Sequence, residues 1–265
     1  MLNLLFWIGA ALATGGAYLF GDGLSPWWIV PILLGTYLSL TVAYFVVILV
    51  GWLFLLPRKV PKKPSAFCHG MIYLAMSWLC SVLRIRIRIR GQEKLPPAPC
   101  VIVSNHLSDF DPMTMLGALR GRRLVYISKE SNFKIPVVGE YIRHAGFLPI
   151  DRENPRRALR TLGEAGDKMR SFGVDVGIYP EGTRSRTGKL GRFKEGGFVL
   201  AKRAEAPIVV LLTKGTENVK KNFPFRPTRV TLEVLCVMEK ETVCQTSVEE
   251  LCARAREIIE DGLAR

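Results

Sequence analysis

Three rhythms of apolar residues divide this chain. Residues 1–20 and 27–56 are two runs without a charged side chain, parted by a short break at 21–26 that holds Gly, Asp and Pro. As a helix, each run is long enough to cross a hydrocarbon core of about 30 Å. The pattern predicts a two-helix membrane hairpin over residues 1–57. Gly9, Gly15, Gly16, Gly35, Gly51 and Pro31 also permit a shallow pair that lies in the interface; length favours crossing. A cleaved leader fits poorly, because no Lys or Arg precedes the first run and no small-residue cleavage site precedes Trp27. A third apolar stretch, 66–83, holds His69 and lies between Lys62, Lys63 and Arg84. It predicts a domain helix touching the interface.

From Arg84 to Arg90 the rhythm changes to strict alternation, Ile85, Ile87 and Ile89 against four arginines, which is the period of a half-buried strand. The arginine face is either a solvated sheet face or a set of contacts to anionic headgroups, each contributing about 1 kcal/mol near a membrane surface. Further strands are expected at 100–104, 124–128, 147–150, 174–179, 208–213 and 228–238. Helices are expected from Pro112, from the Asn154-Pro155 start signal, near 196–204 and from Val248. This order implies an α/β fold over 84–265, a single sheet covered by helices, with ligands gathered where strands end and loops begin. Residues 58–83 then form a basic linker and the interfacial helix.

Composition narrows the partners. With 265 residues, 49% of them apolar, the chain is neither disordered nor a disulfide mini-protein. Residues 1–57 contain one charged side chain, Asp22, so residues 58–265 carry +15 by themselves. A chain of that length removes about 70% of its unfolded surface from water and should fold as one domain. The cluster Arg58, Lys59, Lys62 and Lys63 places the end of the hairpin, and with it the domain, on the cytoplasmic face of a membrane. The six cysteines show neither a C-x-x-C pair nor zinc-like His spacing and read as reduced thiols. A membrane-tethered nucleic-acid-binding protein would explain the charge. It would also want aromatics interleaved with the basic strand, and Arg84–Arg90 has none; no nucleic acid is expected.

Two strand-end loops are chemically loaded. The first, Ser104 to Pro112, holds His106 and Asp111, with Asp111 expected as the helix N-cap. Five residues are about 140° around an ideal helix, so the two share a face only across a loop-to-helix turn. An imidazole held by a carboxylate at one nitrogen can take a hydroxyl proton at the other. Asp109 is a competing partner, and His106 as a plain surface residue stays open. Ser108 lacks the G-x-S-x-G turn of a nucleophile.

The second loop runs from Pro180 through Glu181, Gly182, Thr183 and Arg184 to Gly197 and suits an anion, with glycines, hydroxyls and a planar guanidinium. It is no P-loop: five residues separate Gly182 from Gly188, and Leu190 follows Lys189. Arg152, after the strand ending at Ile150, either faces the same site or forms an exposed pair with Asp151 worth under about 1 kcal/mol. Lys129 is open in the same way.

In order, Asn105-His106 with Asp111, Gly146 to Arg152, Pro180-Glu181-Gly182-Thr183-Arg184 and Ala206-Pro207-Ile208-Val209 resemble the motifs of the glycerolipid acyltransferase family, in particular its lysophosphatidic acid acyltransferases. The resemblance implies transfer of a fatty acyl group from an acyl carrier protein or coenzyme A thioester to the 2-hydroxyl of lysophosphatidic acid. His106 would take the proton and Asp111 orient it. Arg152, Thr183 and Arg184 would hold the phosphate, Glu181 and Gly182 would shape the pocket, and Lys129 is an added candidate. Asn105 would order the loop, and an intact His106 and Asp111 speak against a catalytically dead scaffold. No metal or cofactor is implied beyond the thioester co-substrate. Glycerol-3-phosphate or another lysophospholipid remains an alternative acceptor. Pro149 departs from the aromatic or aliphatic residue usual at that place, which bears on the strand geometry before Arg152.

Overall fold

The computed structural model describes residues 2–21, 25–56, 59–119, 121–151, 153–185 and 189–265. Asp22, Arg58 and Arg152 lie outside them. Helices α1 (Leu2–Phe20), α2 (Ile29–Leu55) and α3 (Ala66–Val82) precede β1 (Ile85–Arg90), β2 (Val101–Ser104), α4 (Asp111–Ala118) and β3 (Leu124–Lys129). Then come α5 (Val138–His144), β4 (Leu148–Ile150), α6 (Pro155–Phe172), β5 (Asp175–Ile178) and α7 (Gly196–Ala204). The chain closes with β6 (Ile208–Lys214), α8 (Val219–Asn222), β7 (Thr228–Met238), α9 (Lys240–Gln245) and α10 (Val248–Ala264).

Among the described residues the strands form one sheet in the order β1-β7-β6-β2-β5-β3-β4. Every neighbouring pair is parallel except β6 with β7. Strands β2, β5, β3, β4 and β6 therefore all end at one edge of the sheet, where β1 and β7 begin. Helices α6, α7 and α10 pack on one face; α3 and α4 pack on the other, and α5 packs beside α3. Strands β2 and β6 are the continuous apolar runs expected of strands covered on both sides. In β1 the three arginines at 86, 88 and 90 are exposed, so the solvated face exists. Arg84 precedes the strand instead, with φ 56°. Pro149 sits on the edge strand β4, where a missing N–H costs no ladder partner.

Local signals behave as their chemistry demands. Asn154 caps α6 by accepting from Arg157 N at 3.2 Å, with Pro155 at the first helical position and Gly173 in the left-handed region at the far end. Ser247 caps α10. Helix α5 has no counterpart in the expected elements, because seven residues are too few to display a helical period. At the edge of the sheet opposite the strand ends, Arg122 holds the buried Asp175 through Nε at 2.5 Å and Nη2 at 2.7 Å, and Cys100 N donates to the same carboxylate at 3.0 Å. Burial pushes the Cys100 thiol up, with the Asp175 charge adding to it, and lifts Cys80 to about 11; Cys244 is the exposed cysteine.

The hairpin is tied to the domain along α3 and at α5. Asn3 Nδ2 donates to Ser81 Oγ at 2.9 Å, Phe45 meets Trp78 edge-on with ring centroids 5.1 Å apart, and Tyr141 OH donates to Ile48 O at 3.0 Å. Helix α3 is a domain helix, as expected: its His69 Nε2 bonds Leu124 O at 3.0 Å. It climbs from the start of β3 to the start of β1, so its end lies at the strand-end edge. The upper part of α2 and most of α1 project beyond that edge. Their apolar side chains stay uncovered, with Leu12 72% and Leu19 79% exposed, and Trp27 in the turn before α2 is 87% exposed. An apolar surface of that extent marks a membrane-associated segment, and both helices are long and apolar enough to cross a bilayer.

Asp175→Ala should leave the Arg122 guanidinium and the Cys100 amide without their acceptor. A loss of about 3 kcal/mol is expected, read as a lowered denaturation midpoint of the purified protein in detergent; an unchanged midpoint would remove this pair from the account of stability.

Candidate active site

At the end of β2 the chain cannot continue its ladder, and side chains take over. Asn105 is buried and bridges to β6, its Oδ1 accepting from Thr213 N at 2.8 Å and its Nδ2 donating to Thr213 O at 2.9 Å. These bonds order the loop. His106 follows. Its Nδ1 lies 2.7 Å from Asp111 Oδ2, and the ring is 18% exposed over a fully buried carboxylate. The carboxylate accepts, so Nδ1 carries the proton, and in the neutral ring Nε2 is left with the lone pair. Of the two possible partners, Asp111 is the one that meets the ring; Asp109 turns outward.

Asp111 is not the helix cap expected from the sequence. Phe110 holds that position, and Asp111 is the first residue of α4. The reason is the pull of the loop amides. Asp111 Oδ2 accepts from Leu107 N at 2.6 Å and Ser108 N at 2.8 Å, while Oδ1 accepts from the Thr216 hydroxyl beyond β6. A carboxylate folded back into its own loop satisfies amides upstream of the helix. Ser108 spends its Oγ accepting from Phe110 N.

The β5 loop is bound to this one. Glu181 is buried, and both of its oxygens accept amides, Oε1 from His106 N at 2.7 Å and Oε2 from Gly191 N at 2.9 Å. It ties the loops together and offers no contact to an anion. Ser185 N donates to His106 O at 2.8 Å, and Gly182 turns at φ 70°. Tyr179 stacks on the His106 ring at 4.4 Å between centroids, and Tyr126 continues the stack at 5.9 Å. Gly177 makes this possible, since a Cβ there would meet Tyr126 Cε1. Burial drives the phenols of Tyr126 and Tyr179 well above their ordinary range, so both stay neutral.

The anticipated cations divide. Arg184 lies beside the histidine loop, with Nη1 2.6 Å from Asp109 Oδ2. It lines two cavities, one of about 650 Å³ with Thr183, Arg192 and Lys194, and one of about 700 Å³ with Phe110, Lys214, Thr216 and Lys220. Thr183 is exposed in the first. Lys129 is exposed at the end of β3, two strand spacings or roughly 10 Å from β2. Arg152, after β4, is outside the described residues. Thr216 and Tyr179 are the partners that the loop motifs did not single out; a hydroxyl two residues past the end of β6 carries no local signal. Among the described residues no three His, Cys, Asp or Glu side chains gather to hold a metal ion.

A histidine oriented by a buried carboxylate at the end of a parallel strand, flanked by an arginine-bearing glycine loop, can serve as a base beside a place for an anion. Residues 86–213 match the Acyltransferase family. The chain is 38% identical over 133 residues to a chloroplast 1-acyl-sn-glycerol-3-phosphate acyltransferase of Brassica napus, covering 49% of this chain and 38% of that protein. It is 30% identical over 189 residues to the 1-acyl-sn-glycerol-3-phosphate acyltransferase of Pseudomonas aeruginosa, covering 71% and 73%. The crystal structure of the 1-acyl-sn-glycerophosphate acyltransferase PlsC from Thermotoga maritima shares the fold, with a TM-score of 0.59 and 24% identity over 99% of this chain and 93% of that one. The chain spans 37 to 56% of the length of several plant and algal relatives. It belongs to the glycerolipid acyltransferase family.

Thr216→Val should remove a donor from a buried carboxylate at a cost of about 2 kcal/mol. Thr216→Ser, which keeps the hydroxyl, should recover most of it in thermal unfolding; equal losses for the two would assign the effect to packing.

Proposed function

We propose that this protein transfers a fatty acyl group from an acyl thioester to the 2-hydroxyl of lysophosphatidic acid, forming phosphatidic acid. The observation that carries the reading is the His106–Asp111 pair at 2.7 Å, with the imidazole partly open and the carboxylate closed to water. His106 Nε2 takes the hydroxyl proton as the oxygen bonds to the thioester carbonyl carbon. The C–S bond then breaks, and the proton passes to the leaving thiolate. Asp111 holds the ring in one tautomer and stabilises the imidazolium in between.

Arg184 and Thr183 receive the acceptor phosphate; Lys129, at the end of β3 on the same edge, and Arg152, on the family resemblance alone, are further candidates. A phosphate monoester carries about −1.5 to −2 charge at neutral pH, which favours a bidentate guanidinium. The Arg184–Asp109 pair is about half exposed on both sides and so holds the guanidinium weakly, leaving it free to exchange Asp109 for phosphate. The relatives' names support a 1-acylglycerol-3-phosphate over glycerol-3-phosphate. The donor is an acyl carrier protein or coenzyme A thioester.

The hairpin supplies access to the acceptor. It projects from the sheet edge at which β2 and β5 deliver their loops, so a lipid in the bilayer meets the site without full extraction. The domain then faces the cytoplasm, with the exposed Cys244 as its reporter.

His106→Ala should lower acyl transfer about 100 to 10,000 fold with little change in acceptor affinity, whereas Arg184→Ala should raise KM for the phosphate-bearing acceptor. Turnover of a labelled acyl donor with a panel of acceptors measures both, and unimpaired turnover in His106→Ala would end the general-base assignment. An impermeant maleimide should label Cys244 in inside-out vesicles and not in intact cells; the opposite pattern would reverse the orientation.

A further inference from the structure

The connection from α8 to β7 carries a bare aromatic tip. Phe225 is 85% exposed, more than any other large apolar side chain described outside the hairpin, and its neighbour Phe223 is 41% exposed. The tip is held out by bonds. Arg84 Nη1 donates to the carbonyls of Pro224 and Phe225, each at 3.1 Å, and Arg226 N donates to Asn222 O at 2.7 Å.

Its position is set by the same arginine. Arg84 directly follows α3, whose Ser81 receives Asn3 from the first turn of α1. The tip therefore stands a few residues from the point at which the hairpin leaves the domain, at the sheet edge that also carries His106. Its chemistry is sharply one-sided. Residues 219–229 contain Lys220, Lys221, Arg226 and Arg229 and no acid. An apolar tip flanked by cations matches an anionic bilayer interface, with hydrocarbon for the rings and lipid phosphates for the cations.

We propose that Phe223 and Phe225 form a second membrane contact, inserting into the interface of an anionic bilayer while Lys220, Lys221 and Arg226 meet lipid phosphates. The proposal rests on the hairpin being the membrane anchor and not on the chemistry assigned to His106. One hairpin leaves the domain free to tilt about its base. A second contact on the same edge removes that freedom and holds the mouth of the site against the lipid. The arginine face of β1 has a smaller part in this than its sequence implies: Arg84 braces the tip, while Arg90 lies six residues further on, roughly 20 Å down the strand.

The test uses the full-length protein with Cys244→Ser and one added cysteine, Phe225→Cys or Leu12→Cys, each labelled with an environment-sensitive fluorophore. Reconstitution into phosphatidylcholine vesicles containing phosphatidylglycerol should shift both emissions to the blue and reduce iodide quenching several-fold. In phosphatidylcholine alone the Phe225 label should lose most of that protection and the Leu12 label should keep it. A Phe225 label as open to iodide in anionic vesicles as in water, beside a protected Leu12 label, would overturn the proposal while leaving the hairpin intact. Neither label protected would overturn both. Protection that arises only on adding an acidic acyl carrier protein would make the tip a protein-docking surface and also overturn it.

Discussion

The buried carboxylate of Asp111 is the constraint on which the site depends. It receives the His106 ring, two backbone amides and the Thr216 hydroxyl, so both oxygens are satisfied without water. A charge taken fully out of solvent persists only with such a set of donors. Each donor is in turn fixed by the need to reach it. The loop after β2 must curl so that its amides point inward, β6 must lie beside β2 so that Thr216 arrives, and the imidazole must stand over the first turn of α4. The ring geometry follows from satisfying the carboxylate.

Glu181 does for the neighbouring loop what Asp111 does for the first. Its two oxygens bind amides from the histidine loop and from Gly191, so a negative side chain serves as the staple of a loop otherwise rich in cations. The positive charges are left to face outward into the cavities on either side of Arg184. Asp111 and Glu181 are thus satisfied internally, largely by backbone donors, and the cations beside them remain available to an anion. The stacked rings of Tyr179 and Tyr126 close the far side of the imidazole with neutral surface.

The fold brings the apolar hairpin and the candidate site to one end. Parallel strands deliver β2, β5, β3, β4 and β6 to a common edge, and α3 ends there as well. Because α1 and α2 are pinned to α3 through Asn3 and Phe45, and to α5 through Ile48, the apolar hairpin projects past the same edge. The opposite edge carries Arg122, Asp175 and Cys100 in a closed structural network. The candidate site and the apolar hairpin lie at one end, and a buried ion pair at the other.

Much of this was legible along the chain, because the relevant physics is local. Alternation at Ile85–Ile89 sets a strand, uncharged runs set the hairpin, and Asn154-Pro155 starts a helix wherever it occurs. Spacing alone could not choose between Asp109 and Asp111 as the partner of His106, nor show that Glu181 faces amides. It could not reveal Thr216, 105 residues from the carboxylate it serves. Those outcomes depend on β2 lying between β6 and β5 and on β7 running back antiparallel beside β6, adjacencies that no short stretch encodes. Residue types and local periods come from neighbours a few positions away; which loops face one another is decided by the order of strands in the finished sheet.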